Sequence, residues 1–295
     1  MGVLSLGRGL LIAASLIPAV VRADTPDKPV PARLAELQTT LFDPNARFSI
    51  SATLAELSSL ETGAAAGPDS SVLGRITFLR AFVEYKAKRP EDSIRDGIAA
   101  LRIDAKSPFL SDSERMHLLY ETASQAENSG DCQTAVPYFQ QALVLMKSDP
   151  ASTQGERLGT AERIGYCLHE LKRYDEARTL NQATLAGGIA LYGADSPKLT
   201  TVLTNLAQNT YELKDFAAAR GYLQQALAIA TKAHEPDKVD NYLFQLGVLA
   251  FETHDSAEAL RLMQSRVPLA EASGQSDLTK KAKDDLAILL GKLQN

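Results

Sequence analysis

Several residue types on which catalytic and metal sites depend are scarce in this sequence. It has no tryptophan, two cysteines and four histidines, and it contains no H-E-x-x-H, G-x-S-x-G, phosphate-loop or C-x-x-C motif. His234 and His254 fall in polar connecting segments, and His117 and His169 lack a second ligand pair at metal-binding spacing. His169 and Glu170 are adjacent, so on a helix their side chains would diverge by about 100°. We therefore expect no enzymatic activity, no cofactor and no metal site.

Runs of positive charge and long apolar runs are lacking as well. The formal net charge is −5 and no polybasic stretch occurs, which argues against a nucleic-acid partner. The apolar run Gly9–Val21 has about 13 residues, whereas a membrane-spanning helix needs about 20. Arg8 precedes this run and small residues surround Ala23, a pattern typical of a secretory signal peptide that is cleaved after Ala23. An uncleaved membrane anchor and a buried N-terminal helix are the alternatives.

Removal of residues 1–23 would leave a periplasmic or secreted protein without a membrane span. No cysteine lies near the predicted cleavage site, which argues against a lipid anchor there. The next residues, 24–31, are rich in proline and aspartate and are expected to form an unstructured leader.

Five units recur along the rest of the chain, each with a small residue in the first of two amphipathic stretches. Ala81, Ala123, Gly165 and Ala207 are each 42 residues apart, and Gly247 follows at a spacing of 40. A helix pair of this size cannot bury its apolar face alone, so such units stack on their neighbours. The pattern predicts an all-α solenoid of stacked antiparallel helix pairs. In the second stretches the small positions are Ser93 and Ala100, Ala135 and Ala142, Ala177 and Thr184, Ala219 and Ala226, and Ala259.

The predicted organisation has four parts. Residues 1–23 form the signal peptide, 24–71 a leader with an N-terminal helical cap or degenerate repeat, 72–272 five helix pairs, and 273–295 a C-terminal capping helix. Ser111, Ser196 and Asp237 are predicted to cap the helices that follow them, and no convincing strand pattern occurs. The expected helices are 32–41, 51–60, 72–87 with 91–104, 112–129 with 131–147, 157–172 with 174–192, 197–213 with 215–233, 236–253 with 255–272, and 277–294.

These units resemble tetratricopeptide repeats, in the long variety of about 42 residues that is typical of kinesin light chain. The resemblance covers roughly residues 72–270 and is strongest in the segment that contains Leu199–Ala230. It implies a right-handed superhelix. Two departures from the family pattern are Ser93 and Arg266, which stand where alanines are expected.

The resemblance also implies that the first helix of each pair lines an inner groove that receives a peptide or a partner helix. Asn205 matches an asparagine that can reach a ligand backbone in the long-repeat family. Carboxylates such as Glu162 flank the aromatic row and favour a basic or amide-rich ligand. Alternatively, several of these aromatics belong to the core and the glutamates form a solvated face. The predicted groove residues are Phe78, Phe82, Tyr85, Tyr120, Tyr166, His169, Asn205, Gln208, Tyr211, Phe244 and Phe251.

The two cysteines fall on neighbouring helices of successive units. Cys132 begins the second helix of one unit and Cys167 lies within the first helix of the next. These helices are expected to run antiparallel, with the two positions at similar heights. In an exported protein such a pair is a candidate disulfide, and the alternative is two buried free thiols.

The function indicated by these patterns is an exported scaffold that binds a protein or peptide segment in its groove. One alternative is a structural role in which the outer surface or the terminal caps drive homo-oligomer formation. Another is an accessory subunit of an envelope or secreted complex.

Overall fold

The computed structural model describes residues 29–64 and 70–294. The predicted signal peptide and most of the predicted leader lie outside these residues. The chain divides into two compact units, one ending at Arg47 and the other beginning at Phe48. In the described part of the first unit, helix α1 (Val30–Phe42) carries Leu34, Leu37 and Leu41 on its buried side.

The described part of the second unit consists of helices and short connections, without strands. A 3-10 turn at Pro197–Leu199 opens the first helix of the fourth pair. The helices are α2 (Ile50–Ala64), α3 (Ser70–Lys86), α4 (Pro90–Asp104), α5 (Asp112–Asn128), α6 (Cys132–Ser148), α7 (Gln154–Glu170), α8 (Tyr174–Tyr192), α9 (Thr200–Glu212), α10 (Phe216–Lys232), α11 (Pro236–Glu252), α12 (Ser256–Ala272) and α13 (Ser276–Leu293).

The predicted fold class is confirmed. Helices α3 to α12 form five antiparallel pairs, each pair packs on the next, and α13 packs on α12. The second unit is therefore an α-solenoid of stacked antiparallel helix pairs. The first of the two compact units ends at Arg47, so α2 lies in the same unit as the repeats and not with α1.

Small residues at the crossings allow the helices to approach closely, as predicted. Ala81, Ala123 and Ala207 are buried, and so are Ala135 and Ala219 in the second helices. Gly165 marks the tightest approach on α7. A Cβ atom there would lie 2.2 Å from the side-chain oxygen of Asn181 on α8, closer than a real Cβ contact allows.

The turn inside each pair takes a left-handed backbone conformation at the same repeat position. Gly130 has φ +80°, whereas the equivalent Lys172, Lys214 and His254 have φ between 59° and 63°. A non-glycine residue in this conformation costs about 1 kcal/mol. In three of these turns the next residue is an aspartate, Asp131, Asp215 or Asp255, whose side chain caps the second helix. Asp131, for example, accepts a hydrogen bond from the backbone N–H of Thr134 at 3.0 Å.

Two of the three predicted N-caps are found. Ser111 forms a capping box with Glu114 at the start of α5, and Ser196 caps the 3-10 turn. The prediction for Asp237 is wrong, because Pro236 already opens α11 and Asp237 lies in its first turn.

Candidate binding surface on the first helices

A recess on the repeats lies between α9 and α11, and we call it the central cavity. Its volume is about 300 Å³, at the lower end of the range for ligand pockets. The second helix α10 closes its floor with Ala219 and Leu223, and α7 contributes His169. The remaining lining residues are Ala207, Gln208, Tyr211, Glu212, Phe244, Gln245, Val248 and Leu249.

Four of the predicted groove residues meet in this cavity. His169, Gln208, Tyr211 and Phe244 come from three successive first helices, which places them on one face. We call the surface formed by α3, α5, α7, α9 and α11 the first-helix face. The cavity can hold an apolar side chain, while Gln208 presents an exposed amide at its edge.

Hydrogen bonds fix the polar groups around the central cavity. The ring Nδ1 of His169 lies 2.7 Å from the side-chain oxygen of Asn209. The hydroxyl of Tyr211 donates to the carboxylate of Glu252, and this hydrogen bond raises the pKa of Tyr211 to about 12. The hydroxyl group of Tyr211 therefore stays protonated and uncharged at physiological pH.

Two predicted groove residues are not available on the surface. Phe78 is 6% exposed and Asn205 is 9% exposed, so both belong to the interior. Tyr120 is partly buried against Phe139, with ring centroids 5.6 Å apart. For these positions the structure favours the alternative interpretation, in which part of the aromatic row is core.

The other predicted aromatics remain at least partly accessible. Tyr85 and Tyr166 are exposed by 42% and 44%, and Phe82 and Phe251 are partly buried. None of these four lines the central cavity. They extend the accessible part of the first-helix face on both sides of it.

Cations of the chain itself cover most of these rings. The guanidinium of Arg163 lies 5.3 Å from the centroid of Tyr120, and the ammonium of Lys214 lies 5.4 Å from that of Tyr211. Tyr166 differs, because no cation, ring or hydrogen-bond partner contacts it among the described residues. The remaining pairs are Arg75 with Phe78, Lys86 with Phe82 and Tyr85, Arg266 and Lys281 with Phe244, and Lys292 with Phe251.

Sequence reasoning missed several residues that shape this surface. Val248 and Gln245 line the central cavity but lie outside the predicted set. Val248 could have been found from the spacing of 40 residues, because it occupies on α11 the repeat position of Gln208 on α9. No sequence pattern predicts that Arg163 lies over Tyr120, because this contact joins residues 43 positions apart.

The two cysteines are joined in the structure as a disulfide between α6 and α7. Cys132 and Cys167 have Cα atoms 5.0 Å apart, which lies within the range of protein disulfides. Both side chains are buried. The bridge connects the second helix pair to the third.

Within the described ranges, no group of three or more histidine, cysteine, aspartate or glutamate side chains is arranged to hold a metal ion. None of the helices described by the structure is both long and apolar enough to cross a bilayer.

Comparisons with known proteins show which class of repeat the chain is similar to. Residues 156–232 and 211–272 match the tetratricopeptide repeat family model. Over 119 residues, 40% of the chain, the sequence is 31% identical to a clustered mitochondria protein homolog of Aspergillus fumigatus. The chain covers only 9% of the length of that relative.

Two solved structures show the same fold at low sequence identity. BtubC from P. vanneervenii matches with a TM-score of 0.55 and 15% identity, over 84% of this chain and 94% of that one. The apo form of RapI matches with a TM-score of 0.59 and 13% identity, over 89% and 84%. These structures show that the chain has a helical repeat fold. Residues 156–272 of this chain are similar to tetratricopeptide repeats.

Proposed function

We propose that this protein is an exported scaffold that binds an extended segment of another protein along its first-helix face, without chemistry of its own. The observation that carries this proposal is the central cavity, where His169, Gln208, Tyr211 and Phe244 from successive repeats surround an apolar space of about 300 Å³. A side chain of a bound segment would fill this space. Exposed aromatics on either side would contact the flanking residues of that segment.

The test is to block the cavity without disturbing the core. Gln208 is exposed at the cavity edge, so a Gln208→Trp variant places a bulky ring over the opening while α9 keeps its buried face. Gln140→Trp adds the same ring at an exposed position of α6, a second helix. We expect the protein to capture a partner from extracts of its host, the Gln140→Trp variant to retain it, and the Gln208→Trp variant to lose it. Equal capture by both variants would place the interaction elsewhere.

Export is proposed on the N-terminal pattern alone: Arg8, an apolar run of about 13 residues and small residues before Asp24. N-terminal sequencing of the protein isolated from its host should then begin at Asp24. An intact N-terminus on the mature protein would overturn this part of the proposal.

The spacing of 42 residues also supports assignment of the repeats to the long variety found in kinesin light chain.

Self-association is the second candidate, and the last helix favours it. Ile288 and Leu290 of α13 are 59% and 39% exposed, so two copies could pack through this helix. A molar mass in solution that rises with concentration, and that an Ile288→Glu substitution returns to the monomer value, would support this role.

A further inference from the structure

The first-helix face repeats one local arrangement, in which a cation lies between an aromatic ring and a carboxylate. Arg163 is the clearest case. Its guanidinium lies over the ring of Tyr120 and forms a salt bridge with Glu127. Both groups attract the cation: the ring acts through its quadrupole, and the carboxylate acts through its negative charge. Arg75 of α3 is held in the same way between Phe78 and Glu114. Arg266 of α12 also lies between Phe244 and Asp240, but it is fully buried inside the array and is not part of the first-helix face.

Helix α7 supplies the ring and the carboxylate of this arrangement without a cation from the chain. Tyr166 is 44% exposed, and Glu162 precedes it by four residues. Side chains at this spacing are neighbours on a helix surface, with Cβ atoms about 5–6 Å apart. Among the described residues, no hydrogen bond or ion pair reaches either side chain.

Glu162 is unfavourably placed as long as it has no partner. It is partly buried, and burial alone raises the pKa of its carboxyl group above the ordinary value. A partly desolvated carboxylate gains more from an arriving cation than a fully solvated one. The nearest cation along the helix, Arg163, already pairs with Glu127.

The repeat register places this pair beside the central cavity. Tyr166 occupies on α7 the position that Gln208 occupies on α9, and α7 packs against α9. His169 of α7, one turn further along, lines the cavity itself. A segment with an apolar side chain in the cavity would therefore carry a neighbouring side chain past Tyr166 and Glu162.

We propose that Tyr166 and Glu162 form a subsite for a lysine or arginine side chain of the bound segment. This inference rests on the proposed function, because the segment must lie along the first-helix face to reach the subsite. The cation lies over the Tyr166 ring and pairs with Glu162, as the chain's own arginines do elsewhere on this face. The subsite thus selects segments in which a basic residue lies near an apolar one.

The experiment uses displayed random nonapeptides, selected on the full chain, and then fluorescence anisotropy with the selected peptides. We expect the parent to enrich lysine or arginine near an aliphatic residue. Replacement of the basic residue by norleucine should weaken binding to the parent by about five- to tenfold. The Glu162→Gln variant should bind the two peptides within about twofold of each other, since the charge partner is gone.

Two further variants separate a binding role from a general effect of charge or folding. Glu91→Gln removes the same charge from an exposed position on α4 and should keep the full preference for the basic peptide. Tyr166→Leu keeps an apolar contact but loses the aromatic face, so it should also reduce the preference. Unchanged circular dichroism spectra check that all variants fold.

The outcomes are distinct. No enrichment of basic residues, or the same preference in the parent and Glu162→Gln, overturns the subsite. If those peptides still lose binding in Gln208→Trp, the proposed function stands without the subsite. If the parent selects no peptide at all, the proposed function fails and the subsite fails with it.

Discussion

Arg266 shows how much a single residue can depart from the repeat pattern. It stands at a position where the second and fourth repeats have Ala142 and Ala226, and its side chain is fully buried. The guanidinium donates to both carboxylate oxygens of Asp240 at 2.8 and 2.9 Å. It also donates to Asp285 at 2.9 Å, so it joins α11, α12 and the terminal helix α13.

Truncation of Arg266 should therefore be costly. Arg266→Ala leaves two carboxylates without their cation, and such a loss in a buried pair typically destabilises by about 3–5 kcal/mol. Arg261→Ala is the matched control, because Arg261 is exposed and forms a surface ion pair with Glu258. Loss of such a pair predicts a destabilisation of about 1 kcal/mol or less. Urea unfolding measures both variants. Similar losses for the two would show that the buried network does not stabilise the C-terminal repeat.

Glu84 is a buried carboxyl group, and its contacts with the protein do not fully replace the hydration that it loses on folding. It is 3% exposed on α3, and Arg95 is 3.8 Å from its Oε1. Its Oε2 has no hydrogen-bond partner among the residues that the structure describes. Burial, together with the charges of Asp96 and Asp92, raises the pKa of Glu84 from 4.5 to about 7. The folded state thus binds this proton more tightly than the unfolded state does.

The sign of the resulting pH dependence follows from proton linkage. Between about pH 4.5 and pH 7 the folded state carries more protons at Glu84 than the unfolded state, so the contribution of Glu84 to stability falls as the pH rises. We expect Glu84→Gln to match the parent near pH 5 and to be more stable by about 2–3 kcal/mol at pH 8. Unfolding free energies at both pH values test this, with exposed Glu91→Gln as the control. A difference that is independent of pH would contradict the account of Glu84.

At the scale of elements, the disulfide is the one covalent link between repeats in the described part of the chain. It closes a sequence separation of 35 residues and connects α6 to α7. A bridge of this kind restricts the unfolded chain more than the folded one, where the two cysteines are already adjacent.

Loss of this bridge should destabilise the protein measurably. We expect the double substitution Cys132→Ala with Cys167→Ala to lower the free energy of unfolding by about 2–4 kcal/mol. Reductant should lower the unfolding midpoint of the parent and leave that of the double variant unchanged. Thiol titration of the denatured, unreduced parent should find no reactive group. Two reactive thiols would show that the cysteines are free in solution.

Helix positions could be predicted well because they depend on local signals. The small residues at a spacing of 42, and the polar turns between them, fixed α3 to α12 to within a few residues of the observed bounds. Asp237 was misplaced because Pro236 is itself a good first residue of a helix. The separation of α1 from α2 could not be predicted, since it depends on long-range packing and not on helix propensity.

The candidate binding surface was only partly predictable, for a physical reason. Repeat register assigns a residue to the first helix but does not say how far a neighbouring repeat covers it. Phe78 and Asn205 therefore proved to be buried, while His169, Gln208, Tyr211 and Phe244 came together. The cations over the rings come partly from distant positions, such as Lys292 over Phe251, and no local pattern marks them.

At the scale of the whole molecule, the repeats act as a one-dimensional array. Helices of the second unit contact mainly their neighbours in the chain, and the first helices α7 and α9 also touch. Stability in such an array is shared among adjacent units. Under the proposed function, the first-helix face would hold its aromatic residues in fixed positions before a partner arrives, and this would lower the entropic cost of binding.

The most direct measurement of the central claim is site-specific photo-crosslinking in the host. A photoreactive phenylalanine analogue would replace Gln208 or Val248 at the central cavity, and Gln140 on α6 as the control. The account predicts that positions 208 and 248 crosslink to the same short segment of one partner protein, identified by mass spectrometry, and that position 140 does not. Crosslinks at all three positions alike, or none at 208 and 248, would contradict binding at the first-helix face.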